Sequence, residues 1–201
     1  MPTGVALRDP REQLFAAAER VLARDGPAGL TSRAVTAEAG VAKGVLHRHF
    51  DDFDDFLAEL IRHRIAGLAD WSPRVLEAAG TGTVVGNLAA AITDLFDPIA
   101  LAVVGLVISR GDLWARLRRT TPAGIPVLAE AGAAIAGYLA AERDRGRITS
   151  AADTRAVAIT LLGAGHLLFA EDPGAAPCPD AVREVVAAVV VGIEPGASGA
   201  G

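Results

Sequence analysis

The sequence contains one cysteine, few aromatic residues and no long apolar run. Because the single Cys178 cannot form an internal disulfide, the reducing cytosol is the natural compartment. The longest stretches without a charged residue, 78–93 and 156–170, are shorter than the roughly 20 apolar residues that a membrane span needs. Residues 1–9 lack the apolar run of a signal peptide. We therefore expect a cytoplasmic protein with no membrane as a partner.

Aromatic residues make up only 4% of the chain, and runs of β-branched residues are few, which disfavours sheets. Alanine and leucine fill the periodic segments instead and favour helices. The content of 51% hydrophobic and 21% charged residues is typical of a globular chain. The 201 residues therefore predict an all-α fold with one compact body and a smaller appended unit.

Lysine is nearly absent, since Lys43 is the only lysine among 19 basic residues. The net charge of −5 disfavours nucleic acid as a partner, but this charge is unevenly distributed. Residues 1–50 contain seven Lys and Arg against five Asp and Glu, a balance of +2, whereas the rest contains 12 against 19, a balance of −7. Because phosphate neutralisation is local, a small basic module can bind DNA within an acidic chain.

Start and stop signals divide the chain into helices. The first predicted helix begins with the N-cap Asp9 and Pro10 and ends at Gly26. A second, capped by Thr31, ends at Gly40, because glycine leaves a helix easily. The remaining predictions are a short helix at 42–49, a long amphipathic helix at 52–69, further helices near 74–79, 83–96, 99–117, 123–145, 152–170 and 180–192, and a frayed tail at 195–201.

The second and third predicted helices, separated by the turn 40–42, have the pattern of a helix-turn-helix, whose second helix can lie in the major groove of DNA. Val41 is expected to pack between the two helices, and Leu46 and Phe50 to face the small core. At Gly44 no side chain keeps the helix from the groove floor. The residues expected to point outward or along the groove are Lys43, Gly44, Val45, His47, Arg48 and His49.

The run 28-AGLTSRAVTAEAGVAKGVLHRHFDDFDDFLAEL-60 resembles the DNA-binding segment of the TetR (tetracycline repressor-like) transcriptional regulators. The shared features are a capping threonine, Ala-Gly-Val, Lys-Gly, an aliphatic residue, an aromatic ring, a basic pair and phenylalanine. The close resemblance covers residues 9–65. It implies an all-helical homodimer that binds a palindromic DNA operator and leaves it when a small-molecule effector enters the C-terminal domain.

The resemblance also implies which residues contact DNA. Ser32 and Arg33 match the positions of a phosphate contact and a base-reading arginine, and residues 43–45 match the groove-facing start of the recognition helix. The run 47–49 matches the phosphate-contacting positions of the family. The implied DNA-binding set is Thr31, Ser32, Arg33, Lys43, Gly44, Val45, His47, Arg48 and His49.

The sequence also departs from the family pattern. Ala42 stands where serine or proline usually caps the recognition helix, and Val45 replaces a common threonine, so two hydroxyl groups are missing. His47 replaces the usual tyrosine, and Phe53 stands where a lysine commonly touches phosphate. Four aspartates within 51–55 add negative charge nearby. These changes predict weaker nonspecific binding or a different operator rather than a different fold.

Other chemistry has less support in the sequence. His47 and His49 are two residues apart on a helix and point in different directions, so no metal site is expected. The aspartates of 51–55 are favoured at a helix start by capping and the helix dipole. Cys178 lies in a proline-rich loop, and no nucleophile or phosphate-loop motif occurs, so neither catalytic residues nor a cofactor is expected. Segment 110–119 could be a nucleic-acid patch, but its apolar residues are interpreted as core or pocket wall.

The helices between about 83 and 138 are expected to line an effector cavity with mostly apolar walls. Its expected lining residues are Leu88, Ile92, Phe96, Leu106, Trp114, Ile125 and Tyr138, with Asn87, Ser109 and Arg110 as polar anchors. Dimerisation is expected at the helices near 123–145 and 152–170, where small residues let helices approach closely. The expected interface residues are Ile135, Leu139, Leu162, Gly163, His166 and Leu167.

Two functions of different class follow. The first hypothesis is a dimeric, ligand-responsive transcriptional repressor, with residues 1–50 as the DNA-binding domain and residues 51–201 as the effector-binding and dimerisation domain. The alternative is a helical ligand-binding or scaffolding protein that keeps the fold but has lost operator recognition. An enzyme ranks third, because only an ordered cofactor or a metal would support it.

Overall fold

The computed structural model describes residues 9–119, 125–172 and 175–193. Every regular element in these residues is an α-helix, which confirms the predicted all-α fold. The helices are α1 (Pro10–Gly29), α2 (Ser32–Glu38), α3 (Leu46–His49), α4 (Phe53–Glu77), α5 (Val84–Leu95), α6 (Pro98–Ser109), α7 (Gly111–Leu117), α8 (Pro126–Asp144), α9 (Thr154–Ala170) and α10 (Pro179–Val190).

The helices form two compact units. The first contains the described residues up to His63 and from Ala102 to Arg119, and the second contains Arg64–Leu101 and the described residues from Ile125 onward. The helices α4 and α6 therefore contribute residues to both units. The first unit is larger than the expected DNA-binding domain of residues 1–50, because the start of α4 supplies part of its apolar core. The assignment of functions to 1–50 and 51–201 stays a prediction.

Local capping signals are found where the sequence predicts them. The Asp9 side chain accepts a hydrogen bond from the backbone N–H of Arg11 at the start of α1. Gly26 interrupts α1 with a φ of 66°, and a short helical turn follows before the chain leaves at Leu30. At the start of α2, the Thr31 hydroxyl accepts from the backbone N–H of Ala34 at 3.1 Å.

Two predicted boundaries differ from the structure, and two predicted segments are not fully described. Helix α4 continues to Glu77, well beyond the predicted end at 69, because Trp71 and Val75 extend its buried stripe past Pro73. The predicted helix at 99–117 is divided into α6 and α7 at Arg110, whose φ of −122° and ψ of 97° are extended. The predicted tail at 195–201 and the first two residues of the predicted helix at 123–145 lie outside the described residues.

The core of the first unit is built around three phenylalanine rings. The ring centroids of Phe15 and Phe50 are 5.9 Å apart, those of Phe15 and Phe56 are 5.7 Å apart, and Phe50 and Phe56 meet edge to face at 5.0 Å. Aromatic pairs at these separations add to the free energy gained from burial. They join α1, the end of α3 and the start of α4, and Leu46 is also fully buried, as the sequence predicts.

The second unit has its own apolar core, in which α5, α8, α9 and α10 pack against one another. One side of this core carries a polar cluster. Glu142 is fully buried; it accepts a hydrogen bond from the backbone N–H of Gly80 and pairs with Arg147 at 3.3 Å. Asn87 donates to the Tyr138 hydroxyl at 3.1 Å, and burial raises the pKa of Tyr138. A buried carboxylate needs such partners, because desolvation of an unpaired charge is costly.

Within the described residues, no single helix combines the length and apolar character of a membrane span. The helices α5 and α6 have enough length and apolar character only as a pair, and they are bent by 67°. Core helices of globular proteins have the same composition, and α5 is largely buried.

Gly40 is the position where the fold depends most clearly on glycine. Its φ of +67° lies in the left-handed region, where a residue with a Cβ costs about 1–2 kcal/mol. We expect Gly40→Ala to lower the free energy of unfolding by about that amount in urea denaturation.

Gly44→Ala is the matched control, because Gly44 has no positive φ and an added Cβ would meet no atom within 4 Å. Its free energy of unfolding should stay within about 0.5 kcal/mol of the wild type. Equal stability of Gly40→Ala and the wild type would contradict the left-handed turn.

Candidate nucleic-acid interface

Helix α2 ends in a turn that fixes the direction of the chain towards α3. The backbone N–H of Gly40 donates to Ala37 O at 3.1 Å, and that of Val41 donates to Thr36 O at 3.0 Å. This pair of bonds is a Schellman motif with glycine at the left-handed position. Thr36 is buried, and its hydroxyl is satisfied within α2 by donation to Ser32 O at 2.9 Å. The turn of the helix-turn-helix is therefore closed by local hydrogen bonds.

Side chains of α1 donate hydrogen bonds to the C-terminal ends of both α2 and α3. The Gln13 side-chain amide donates to Ala39 O, the C-cap carbonyl of α2, at 2.8 Å. The Arg11 guanidinium donates to His49 O at 3.4 Å and to Glu59 at 3.0 Å, and it lies 4.6 Å from the centre of the Phe50 ring. Carbonyls at helix ends have no partner within their own helix, so these side chains replace the missing donors.

The recognition helix is shorter than predicted. It begins at Leu46 rather than near 42, and its N-cap, Val45, makes no side-chain capping bond. The physical reason is the absence of a capping hydroxyl, since Ala42 and Val45 provide none. Residues 43–45 form a turn, closed by the Val45 N–H donating to Ala42 O at 2.9 Å. Lys43, Gly44 and Val45 therefore precede the recognition helix instead of forming its start.

Most residues of the implied DNA-binding set are exposed. Thr31, Arg33, Lys43, Gly44, His47, Arg48 and His49 are exposed, and Ser32 and Val45 are half-buried. The Ser32 hydroxyl is turned inward, where it has no hydrogen-bond partner, so it does not face DNA in this conformation. Leu46 and Phe50 are buried as predicted, which leaves the polar side chains of α3 on the outer face.

The arginines of the first unit divide into paired and unpaired groups. On α1, Arg20 pairs with Glu38 at 2.7 Å, and Arg24 pairs with the same carboxylate at 2.8 Å. Within the part of the chain that the structure describes, Arg33, Lys43 and Arg48 make no ion pair. Unpaired cations on one exposed face are suited to phosphate and base contacts.

The aspartates that follow the recognition helix act as helix caps and ion-pair partners. Asp52 accepts from the backbone N–H of Asp55 at 2.7 Å, and this bond is the main cause of its lowered pKa. Arg116 contacts Asp52 at 2.8 Å and Asp55 at 3.2 Å. The capping interpretation of these aspartates is therefore correct. Segment 110–119, interpreted as core or pocket wall, also supplies charged partners that no sequence pattern indicated.

The expected effector-lining residues are divided between the two units. Leu88, Ile92, Phe96 and Tyr138 are buried in the second unit, where Asn87 contacts Tyr138. Leu106, Ser109, Arg110 and Trp114 belong to the first unit, and Ile125 is the N-cap residue of α8.

All three expected polar anchors have partners inside the protein. The Ser109 hydroxyl donates to Leu106 O at 3.1 Å, and Arg110 pairs with Asp54 at 2.9 Å. Asn87 donates to Tyr138 and also to two backbone carbonyls in the segment 78–81. These three side chains are therefore engaged within the protein, and their role as ligand anchors stays a prediction.

The expected dimer residues do not form one surface. Ile135 and Leu139 are fully buried and Leu162 is nearly so; the first two cannot lie on an interface, because the core of their own unit covers them. Gly163 and Leu167 are exposed, and His166 is half-buried. Helical periodicity shows which residues share an apolar face, but not whether that face packs within the chain or against a second copy.

No group of three His, Cys, Asp or Glu side chains in the described ranges is arranged to hold a metal ion. The sequence does not indicate that Arg11 and Gln13 cap α3 and α2, or that Arg110 and Arg116 pair with the start of α4. These contacts join residues 26 to 64 positions apart, so no local pattern reports them.

Comparison with known proteins agrees with this geometry. Residues 14–60 match the family model described as bacterial regulatory proteins, tetR family. No curated protein matches the chain by sequence.

Three solved structures illustrate the similarity of fold. A transcriptional regulator from Rhodococcus sp. Rha1 is 22% identical, with a TM-score of 0.67 over 92% of this chain and 95% of that one. FadR from Bacillus subtilis, in complex with stearoyl-CoA, is 18% identical, with a TM-score of 0.69 over 91% and 99%. SmeT, the repressor of a Stenotrophomonas maltophilia multidrug efflux pump, is 18% identical, with a TM-score of 0.64 over 94% and 93%.

The matched segment defines a helix-turn-helix of the kind found in bacterial regulatory proteins. The DNA-binding segment of this chain is that of the tetR family, and its helices have the fold of TetR-family regulators.

Proposed function

We propose that the chain is a repressor that binds a palindromic operator as a dimer and is released by a small apolar effector. The observation that carries the proposal is that Arg33 of α2, Lys43 of the turn and Arg48 of α3 are exposed and make no ion pair in the described residues. Other arginines of the same unit, such as Arg20 and Arg24, are paired with acidic side chains. Unpaired cations there support contact with phosphates and base edges.

The alternative is a helical ligand-binding or scaffolding protein that has lost operator recognition. The uncapped start of α3 favours it, because the missing hydroxyls at 42 and 45 remove both a cap and two DNA contacts. An electrophoretic shift assay with duplexes from the protein's own promoter region separates the two functions, since only the regulator retards a specific duplex.

Arg33 and Lys43 are expected to contribute differently to DNA binding. Arg33 has a planar fork that can contact O6 and N7 of guanine, so Arg33→Ala should relax specificity at one position in each half-site by about 1–3 kcal/mol. Lys43 is a point charge suited to phosphate, so Lys43→Ala should weaken all sequences nearly equally. It should also lower the salt slope by about one unit per subunit. Titrations of operator and scrambled duplexes at several salt concentrations measure both effects.

Arg20→Ala is the matched control for this experiment. Arg20 is an exposed arginine of the same unit, and Glu38 keeps Arg24 as a partner when Arg20 is lost. We expect its specificity to equal that of the wild type. If neither Arg33→Ala nor Lys43→Ala alters binding to either duplex, the helix-turn-helix is structural only and the alternative function is the better one.

The dimer interface is proposed on the exposed side of α9. Ile159 is 59% exposed and Leu167 is 70% exposed, and Gly163 lies midway between them at helical spacing. Two large apolar side chains on either side of a glycine allow a second helix to approach closely. The proposed interface is therefore this face of α9, without the buried Ile135 and Leu139.

Gly163→Leu should break the dimer, because an added side chain overpacks a close helix crossing. In the single chain nothing lies within 4 Å of a Cβ added at Gly163, so the monomer should fold normally. Light scattering at micromolar concentration is expected to give a dimer for the wild type and the 20.6 kDa monomer for the variant.

Gly67→Leu is the control for helix propensity and added surface, since Gly67 is also an exposed helical glycine with open space around it. This variant should stay dimeric. A wild type of monomer mass would contradict the dimer, and a dimeric Gly163→Leu of wild-type stability would show that the interface lies elsewhere.

An apolar effector is proposed from the side chains available in the expected cavity wall. Within the second unit, the expected polar anchor Asn87 is engaged by Tyr138, and the expected lining residues Leu88, Ile92 and Phe96 are aliphatic or aromatic. The structure of FadR with stearoyl-CoA shows that a TetR-family fold can bind a ligand with a long apolar chain.

Thermal shift measurements test the chemistry of the effector. We expect alkyl or aromatic compounds to raise the Tm, because a ligand that binds only the folded state stabilises it by mass action. Citrate and spermidine serve as multiply charged comparison compounds and should leave the Tm unchanged. Stabilisation by the charged compounds alone would exclude an apolar effector.

A further inference from the structure

The start of α4 carries more negative charge than capping requires. Asp51, Asp52, Asp54 and Asp55 follow directly after the recognition helix, which ends at His49. Asp52 caps the N–H of Asp55 at 2.7 Å, and Asp55 accepts from the N–H of Asp51 at 3.2 Å. Two carboxylates are sufficient for these bonds. The additional charge lies beside a surface that the proposed function brings against phosphates.

Two arginines offset half of this charge. Arg116, in α7, contacts Asp52 at 2.8 Å and Asp55 at 3.2 Å, so a single guanidinium joins two carboxylates. Arg110, at the N-cap of α7, contacts Asp54 at 2.9 Å and lies 5.6 Å from the centre of the Phe53 ring.

These ion pairs are partly shielded from solvent. The side chains of Asp54 and Asp55 are 25% and 27% exposed, and that of Arg116 is 24% exposed. Partial burial weakens the screening by salt, which makes such pairs more persistent than fully exposed ones.

These aspartates lie within electrostatic range of the recognition helix. Asp52 is three residues beyond His49, and three residues span at most about 11 Å. This separation is comparable to the Debye length of about 10 Å at 0.1 M salt. An uncompensated carboxylate at this place would therefore repel the phosphates that approach His47, Arg48 and His49.

We propose that Arg110 and Arg116 are positioning residues for operator binding: they reduce the negative charge at the start of α4 so that DNA can approach the recognition helix. The inference rests on the proposed function, since it requires an operator. It assigns a role in DNA affinity to α7, which contains none of the implied DNA-contacting residues.

Arg116→Gln tests the proposal in the full-length protein by fluorescence anisotropy with an operator duplex. One unit charge about 10 Å from a phosphate changes binding by about twofold in water, and roughly two such phosphates at each of two half-sites give about tenfold weaker binding. The loss should shrink to about twofold at high salt, because screening shortens the range of the repulsion. Arg116→Lys keeps the charge and should bind nearly as well as the wild type.

Rescue separates charge neutralisation from a purely structural role. Adding Asp52→Asn and Asp55→Asn to Arg116→Gln removes the repelling charges, and asparagine at 52 still caps the helix. The triple variant should bind at least as tightly as the wild type, because the local charge of Asp52, Asp55 and Arg116 changes from −1 to 0. Asp55→Asn alone keeps Arg116 in place and should bind more tightly than the wild type at low salt. Arg183→Gln is the matched control, because it changes the net charge equally at an exposed pair in α10 and should bind like the wild type.

Arg116→Gln binding as tightly as the wild type would overturn the proposal. A loss that neither the asparagine substitutions nor high salt reduces would also overturn it and would indicate a structural role. If Arg116→Gln fails to fold, Asp55→Asn tests the proposal instead. Unchanged DNA affinity of Asp55→Asn would contradict repulsion by the aspartates. Failure of the proposed function looks different, because the wild type itself would then bind no duplex.

Discussion

The packing of Phe50 between Phe15 and Phe56 is the contact on which the DNA-binding face depends. Phe50 directly follows the recognition helix, and its backbone N–H donates to Leu46 O, so the position of the ring sets where the helix ends. A helix of four residues cannot be stable by itself, because helix nucleation is unfavourable and short helices rely on tertiary packing. Burial of the Leu46 and Phe50 side chains supplies the free energy that the few hydrogen bonds of so short a helix do not.

How far sequence alone predicts this structure depends on the range of the interaction. Asp9, Thr31, Gly26 and Gly40 act through neighbours within a few residues, and each was placed correctly because capping and left-handed turns have local signatures. The start of α3 was misplaced by four residues, since a helical pattern of side chains continues through a turn that lacks a cap. The partners of Arg116 lie 61 and 64 positions away and have no local signature.

The second unit shows the same limit for apolar residues. Ile135 and Leu139 have the spacing of an interface helix, yet both are buried within their own chain, whereas Leu167 is 70% exposed. One helical period describes both kinds of face, so sequence predicts that a face is apolar but not what covers it. The fully buried Glu142 was also not foreseen. Its partners, Gly80 and Arg147, come from two different loops, and only the folded chain brings them together.

Charge distribution connects these observations to function. The chain is acidic overall, with a net charge of −5, yet most acidic side chains near the helix-turn-helix are paired with arginines. Glu38 is held by Arg20 and Arg24, and this pairing lowers the pKa of the Glu38 carboxyl. These pairs reduce the negative charge near Arg33, Lys43 and Arg48, which make no ion pair in the described residues. An acidic protein can thus present a positive surface, because the field that a phosphate meets is set by the unpaired charges within about one Debye length and not by the total.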